Sequence, residues 1–354
     1  MTTTAPPAAQ GSLPQVFRPL DRKVPVLLLA ASVVVAALLV RALGGGPVLT
    51  ALVSAVLYAA VLNAVSRRYE GSRRATDRTI TVLVTSAFLL ALLPLVSILW
   101  TILSNGAARF DLTFFTQSMR GIRGEGGGAL HAIQGTLIVT GLAAALSIPV
   151  GMLTAIYLVE YGRGRLARAI TFLVDVMTGI PSIVAGLFAY ALFVVFVGPG
   201  ARLGIGGAVA LSVLMLPVVV RSTEEMLKLV PAELREASYA LGVPKWRTIL
   251  KVVLPVAAAG IATGVTLSIA RVIGETAPLL LIMGITTNVN LNPFADRMAT
   301  LPVYAFYQFT QPGTPPQFGV DRAWTAALVL MLIVLVLNLV ARVVAKLFAP
   351  KGSR

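Results

Sequence analysis

Arg271 and Glu275 stand four residues apart in an otherwise apolar run, residues 253–285. In a helix, positions i and i+4 share a face one turn apart. Arg271 lies sixteen residues beyond Pro255, about 24 Å of helical rise, against a hydrocarbon core about 30 Å thick. A charge facing lipid at that depth costs roughly 2.5–3.5 kcal/mol on an insertion scale. The pair is therefore expected to face protein or a polar cavity, with Ser268 as its nearest polar neighbour and Thr276 following it. Two roles stand open. The pair can be a structural ion pair that locks the helix, or Arg271 can meet a passing anion while Glu275 holds it. A guanidinium fork matches an oxyanion bidentately, as an ammonium does not.

A second concentration of charge covers residues 221–252. Ser222 and Glu225 have capping-box spacing. Pro231 suits the first turn of a helix, Gly242 stops it, and Pro244 can open another. The stretch therefore predicts two short helices with a sharp turn between them, and Leu234, Ala237, Ser238 and Leu241 fall on one face of the first. An amphipathic pair beneath a membrane domain needs a partner. No Gly-Lys dipeptide occurs in the chain, so it holds no P-loop for nucleotide phosphates.

Other polar residues carry weaker signals. Asp175 is expected near a membrane interface, while Thr178 and Ser182 flank a kink at Pro181. They can line a pathway or bond back to helix carbonyls. Arg221 either guides a solute or marks the inner boundary of its span. Gly260 and Gly264 form a GxxxG suited to close helix packing. His131, the single histidine, reads as a satisfied interfacial residue, and Gly124–Gly128 as a flexible external hinge. With no Cys and one His, the chain has no disulfide and no Cys- or His-based metal cluster.

The elements that position these residues follow from hydropathy. Mean hydropathy is +0.88, 57% of the 354 residues are hydrophobic and 12% are charged. A soluble domain cannot hide that much apolar surface, whereas a bilayer solvates it. The runs 24–43, 47–65, 79–103, 130–159, 169–197, 205–220, 253–285 and 323–345 predict an all-α polytopic membrane protein of about eight spans. A cleaved secretory signal competes for the first run. The net charge of +15 follows positive-inside bias and not nucleic-acid binding. Most Lys and Arg lie in the tail 1–23, the basic loop 66–78, the turn 163–168, the stretch 221–252 and the C-terminal end. Arg109, Arg120, Arg123, Arg202, Arg297 and Arg322 fall on the opposite side. Both termini are therefore expected in the cytoplasm, with 1–23 a disordered tail.

Glu236, Ala237, Gly242, Leu254 and Pro255 resemble the coupling motif of ABC importer permeases, with Ser238 and Val252 as mild departures. The run Arg271, Gly274, Glu275, Thr276, Ala277, Pro278 is similar to the signature of phosphate permeases of the PstA and PstC type. So are Leu216-Pro217 with Arg221 to Met226, Pro181-Ser182-Ile183-Val184 with Gly186, and Thr300-Leu301-Pro302-Val303, the last favouring PstA. The resemblance covers about 79–349, and implies a six-helix type I importer core there, preceded by an extra hairpin at 24–65. It implies a non-enzymatic permease subunit in a bacterial plasma membrane that moves inorganic phosphate inward by alternating access. Its implied partners are a PstC-like sister permease, a dimer of ATPase subunits that hold ATP and Mg, and an external phosphate-binding protein. No cofactor is expected on this chain. The implied solute path comprises Arg271, Glu275, Ser268, Thr276, Arg221 and Ser182. The implied ATPase contact comprises Glu233, Glu236, Ala237, Ser238, Gly242 and Pro244. A permease for sulfate or molybdate, or a self-sufficient secondary anion transporter, is the alternative.

Overall fold

The computed structural model describes residues 20, 21 and 23–348. The expected tail, 1–23, lies almost wholly outside the described residues. Among these the fold is all-helical, in two compact units, residues 1–99 and 100–354.

The first unit contains α1 (Lys23–Ala42), α2 (Pro47–Glu70) and most of α3 (Ser72–Gly106). The three glycines at 44–46 turn the chain, and Pro47 opens α2 at a position where its missing N–H costs nothing. Residues 66–78, expected as a loop, are helical except for Gly71, whose φ of 88° breaks the run. The buried Glu70 explains this order. Its carboxylate accepts from Ser66 at 2.6 Å, the Leu20 amide at 2.8 Å and Arg78 at 2.7 Å, which ties the two helix ends together.

The second unit begins with the end of α3, followed by α4 (Leu112–Thr116), α5 (Leu130–Ile156), α6 (Arg165–Thr178), α7 (Ser182–Val197) and α8 (Gly204–Lys228). Then come α9 (Ala232–Ala240), α10 (Lys245–Thr248), α11 (Leu254–Val272), α12 (Ala277–Ile282), α13 (Leu301–Thr310) and α14 (Pro316–Phe348). A π-turn at Ile249–Val253 joins α10 to α11, so one continuous helix runs from Lys245 to Val272. Among the described residues seven helices are long and apolar enough to cross a membrane, and an eighth span results if α6 and α7 count as one. That run, read from sequence as one span with a kink at Pro181, bends by 110° at residues 179–181. Pro181 is the cause, because it biases the backbone before it away from α and cannot donate to the preceding turn.

The core is built around α8. Leu211, Met215 and Val219 pack with Val139 and Ala143 of α5 and with Leu279, Ile282 and Met283 of α12. Gly206 and Gly207 make this possible, since a Cβ at Gly206 would lie 2.6 Å from Ile282. Gly151 lets α5 reach Val219 in the same way. The expected GxxxG does pack a helix pair: Gly260 sits against Met226 and Gly264 against Ser222, which fixes α11 antiparallel to α8. Ser222 and Glu225 lie within α8 and do not cap a new helix, because α8 continues unbroken to Lys228.

Candidate translocation path and coupling surface

The Arg271–Glu275 pair does not form. α11 ends at Val272, and Glu275 lies in the non-helical link to α12. Gly274 has weak helix propensity, and Pro278 has no N–H to offer the carbonyl four residues before it. Each charge instead sits at the helix end that favours it, Arg271 in the last turn of α11 and Glu275 just before α12. Arg271 is exposed, with no hydrogen bond or ion pair to any described residue, and Glu275 is half-buried. Ser268 departs further from expectation. It is fully buried and bonds back to the Val265 carbonyl at 2.6 Å, so it faces the core and not the Arg271 surface.

The break before α12 meets the break before α7. A Cβ at Gly186 would lie 2.5 Å from Cα of Pro278, so the first turns of the two helices are in backbone contact. Gly186 is one turn after Ser182, and Pro278 is two residues after Thr276. Ser182 and Thr276, both half-buried, therefore open two neighbouring half-helices. Irregular backbone at membrane depth is tolerated where it lies within protein or lines a cavity. Thr178 bonds back to Val174 at 2.9 Å, the structural alternative for that residue.

Arg221 belongs to a different level. Gly264 packs on Ser222, and Arg271 is seven residues further along α11, roughly 10 Å away along the helix axis. Arg221 is not free: it ion-pairs with Asp175 of α6 and with Glu224 at 3.0 Å, and Glu224 also holds Lys228 at 2.7 Å. This chain of alternating charges joins α6 to α8. Arg221–Glu224 and Glu224–Lys228 have the spacing of neighbours on one helix, but Asp175 and Arg221 lie 46 residues apart, and periodicity within one helix cannot reveal that link.

The coupling region has one short helix, α9, where two were expected, because α10 is the first turn of the long helix. Gly242 takes φ of 74°, a left-handed conformation that suits glycine. Pro244 precedes α10 as its N-cap. Ser238 is buried and bonds Thr248 at 2.8 Å, so it braces the turn and faces inward. Glu233, Glu236 and Ala237 are exposed, as are Leu234, Tyr239, Leu241 and Trp246. The apolar face is thus presented outward. Arg235 fixes α9 to the core. It donates to Glu160 at 2.9 and 3.0 Å, and to the carbonyls of Leu227 at 2.9 Å and Val230 at 2.6 Å. Lys245 adds a bond to the Glu160 carbonyl and lies over the Tyr161 ring. Neither Arg235 nor Glu160 stood out in sequence.

Two external features also differ from expectation. Gly124–Gly128 is clamped: Arg109 donates to the carbonyls of Gly126 and Gly127, and Arg322 to those of Gly124 and Gly126. His131 is buried, its ring edge-on to Tyr304, and its Nδ1 has no hydrogen-bond partner among the described residues. No group of three or more His, Cys, Asp or Glu placed to hold a metal occurs among the described residues.

Comparison with known proteins places this geometry in a family. Residues 147–354 match the model of the binding-protein-dependent transport system inner membrane component. The chain is 47% identical over 277 residues to the phosphate transport system permease protein PstA 1 of Mycobacterium tuberculosis, covering 77% of this chain and 89% of that protein. It is 46% identical over 286 residues to the Mycobacterium leprae protein PstA, covering 79% and 91%. Among solved structures, a chain of a bacterial alginate ABC transporter superposes with a TM-score of 0.58 at 13% identity, over 81% of this chain and all of that one, which establishes the shared fold. This multi-pass inner-membrane chain belongs to the binding-protein-dependent transport system permeases and, within them, to the PstA phosphate transport permease family.

Proposed function

We infer that this chain is the membrane-spanning permease subunit of an ATP-driven importer of inorganic phosphate. The observation that carries the reading is family membership over more than three quarters of the chain, joined to an outward-facing coupling helix. The permease is not an enzyme, and phosphate leaves it chemically unchanged. A sister permease completes the path, an ATPase supplies the work and a binding protein supplies the solute. In this reading the sister is PstC-like, and two ATPase copies, holding ATP and Mg, receive α9 in a groove. Leu234, Ala237 and Leu241 provide the apolar contact, and Glu233 and Glu236 the polar rim. Closure of the ATPase dimer then moves α9, and the Arg235–Glu160 tie carries the movement into α5 and α8.

Arg271 is the residue that meets phosphate in transit. It is exposed and forms no ion pair with any described residue, and a charge within a membrane span faces a polar path, here between subunits. Glu275, Thr276 and Ser182 line the same junction. Ser268 braces α11, and Arg221 is held by Asp175 and Glu224 on the inner side. Sulfate or molybdate as the solute, or transport without an ATPase, is not favoured by the relatives or by α9. The test is uptake of labelled phosphate in a strain lacking the gene, complemented with wild type or Arg271→Ala, with sulfate uptake as control. Wild type alone is expected to restore phosphate uptake. Restored sulfate uptake without phosphate uptake would overturn the assignment of substrate.

A further inference from the structure

Arg67, Arg68, Arg73 and Arg74 all line one cavity of about 830 Å³ at the junction of α2 and α3. All four are exposed, and none of their side chains forms an ion pair or hydrogen bond with a described residue. Glu70, the one carboxylate in the cavity wall, is 4% exposed and turned inward to Ser66, the Leu20 amide and Arg78. Asp77, one turn beyond Arg73, forms no ion pair with any of the four. Positive-inside bias accounts for arginines at this end of the spans, but not for their gathering around a single cavity. Gly71 produces that arrangement. At φ 88° it ends α2 and lets α3 begin at the next residue, so two turns with two arginines each meet at the break. Four guanidinium groups without a counter-charge attract an anion, and their forks suit phosphate oxygens.

The same helices show what carries the anion. Further into the membrane, Asn63 of α2 donates to Thr79 of α3 at 2.6 Å. Beyond that bond a second cavity of about 640 Å³ opens between α1, α2 and α3, with Leu29, Val33, Tyr58, Val82 and Leu89 in its largely apolar wall. The apolar stretch of α3 begins at Ile80, and the groove reaches from Thr81 to Leu89 on this helix. It therefore spans roughly the first 14 Å of the hydrocarbon, close to the depth of one leaflet, half of a core about 30 Å thick. A free anion makes no use of such a groove, whereas a phospholipid occupies both cavities.

We propose that the α2–α3 junction binds an anionic phospholipid of the inner leaflet, its phosphate among the four arginines and an acyl chain between α1, α2 and α3. Basic pockets at the cytoplasmic ends of spans hold such headgroups. The lipid supplies the counter-charge that the cavity lacks and fixes the α1–α2 hairpin against α3. A zwitterionic lipid brings an ammonium of its own, which the arginines repel. The site depends on the orientation of α2 and α3 and not on the transported solute.

The importer is purified with its partner subunits, stripped of phospholipid in detergent and titrated with phosphatidylglycerol, with phosphatidylcholine of the same acyl chains as control. Bound lipid is counted on the intact complex by native mass spectrometry. Wild type is expected to hold phosphatidylglycerol at least tenfold more tightly than phosphatidylcholine. Arg67→Gln with Arg68→Gln, and separately Arg73→Gln with Arg74→Gln, are each expected to abolish that preference, so either pair tests the site if the other fails to assemble. Arg165→Gln with Arg168→Gln removes the same charge from another exposed turn and is expected to retain it. Ala55→Trp, which fills the apolar groove, is expected to weaken phosphatidylglycerol binding at least tenfold. Equal binding of the two lipids by wild type overturns the proposal. So does an equal loss in the Arg165 and Arg168 control, which would reduce the effect to overall charge. Displacement of the lipid by millimolar inorganic phosphate would overturn it in favour of a free anion. An unchanged preference in both arginine pairs, with loss of a partner subunit, would overturn it in favour of a protein occupant. Undiminished binding in Ala55→Trp would overturn the place of the acyl chain.

Discussion

Arg271 has no partner among the described residues, so removing it should leave the fold intact. Arg271→Ala is expected to lower phosphate uptake roughly 10- to 100-fold, the equivalent of about 1.5–3 kcal/mol for a lost hydrogen bond to a charged group. Expression and co-purification with the partner subunits should be unchanged. Loss of assembly would instead identify Arg271 as a subunit-interface brace. Asp111 is the contrasting case of a charge with many partners. The Thr113 hydroxyl, the Phe114 amide and Arg109 hold its carboxyl at about 2, below its ordinary 3.8. Since the folded value is the lower one, this stabilisation is complete above about pH 4 and is lost as pH falls towards 2. Asp111→Asn should abolish that acid-dependent loosening around α4, read by amide hydrogen exchange between pH 4 and 2.

At the scale of elements, two turns decide whether helices can move as units. Gly242 at φ 74° ends α9, and proline, locked near −65°, cannot adopt that conformation. Gly242→Pro should leave ATP hydrolysis measurable while uptake falls towards background; normal uptake with normal expression would exclude a coupling role. At Gly186 the contact is with Pro278 backbone, which cannot swing aside as a side chain can. Gly186→Ala should separate the first turns of α7 and α12. The expected cost is about 1–3 kcal/mol, as for other overpacked sites, seen as a lowered unfolding temperature together with reduced uptake. An unchanged unfolding temperature would mean that the two half-helices are not in tight register.

For the whole molecule, the distribution of exposed residues implies that the chain does not function alone. Leu234, Leu241 and Trp246 are exposed on one side of the membrane domain, and Leu187, Phe188 and Phe196 within it. The latter suit lipid or a sister permease, while the former lie in a charged segment and suit a protein. With no P-loop and an unpaired Arg271, the isolated chain should neither hydrolyse ATP nor pass phosphate. Vesicles that contain it alone should take up no labelled phosphate above empty vesicles, and uptake should appear when the sister permease and ATPase are co-reconstituted. Uptake by the chain alone would support the secondary-transporter alternative.

Much of this was legible in the sequence, because hydropathy and charge act locally. A run of apolar residues must be helical to satisfy its backbone in a bilayer. Arginine placement sets which loops stay inside, and Gly242 and Pro244 signal the coupling turn through their own backbone limits. Tertiary packing decided what local signals could not. Ser238 and Ser268, polar and well placed in sequence, were turned inward because neighbouring helices pack on their faces. The Asp175–Arg221, Glu160–Arg235 and His131–Tyr304 contacts join residues 46, 75 and 173 positions apart. Such pairs exist only once the helices have packed, since no periodicity along one helix encodes a neighbour on another.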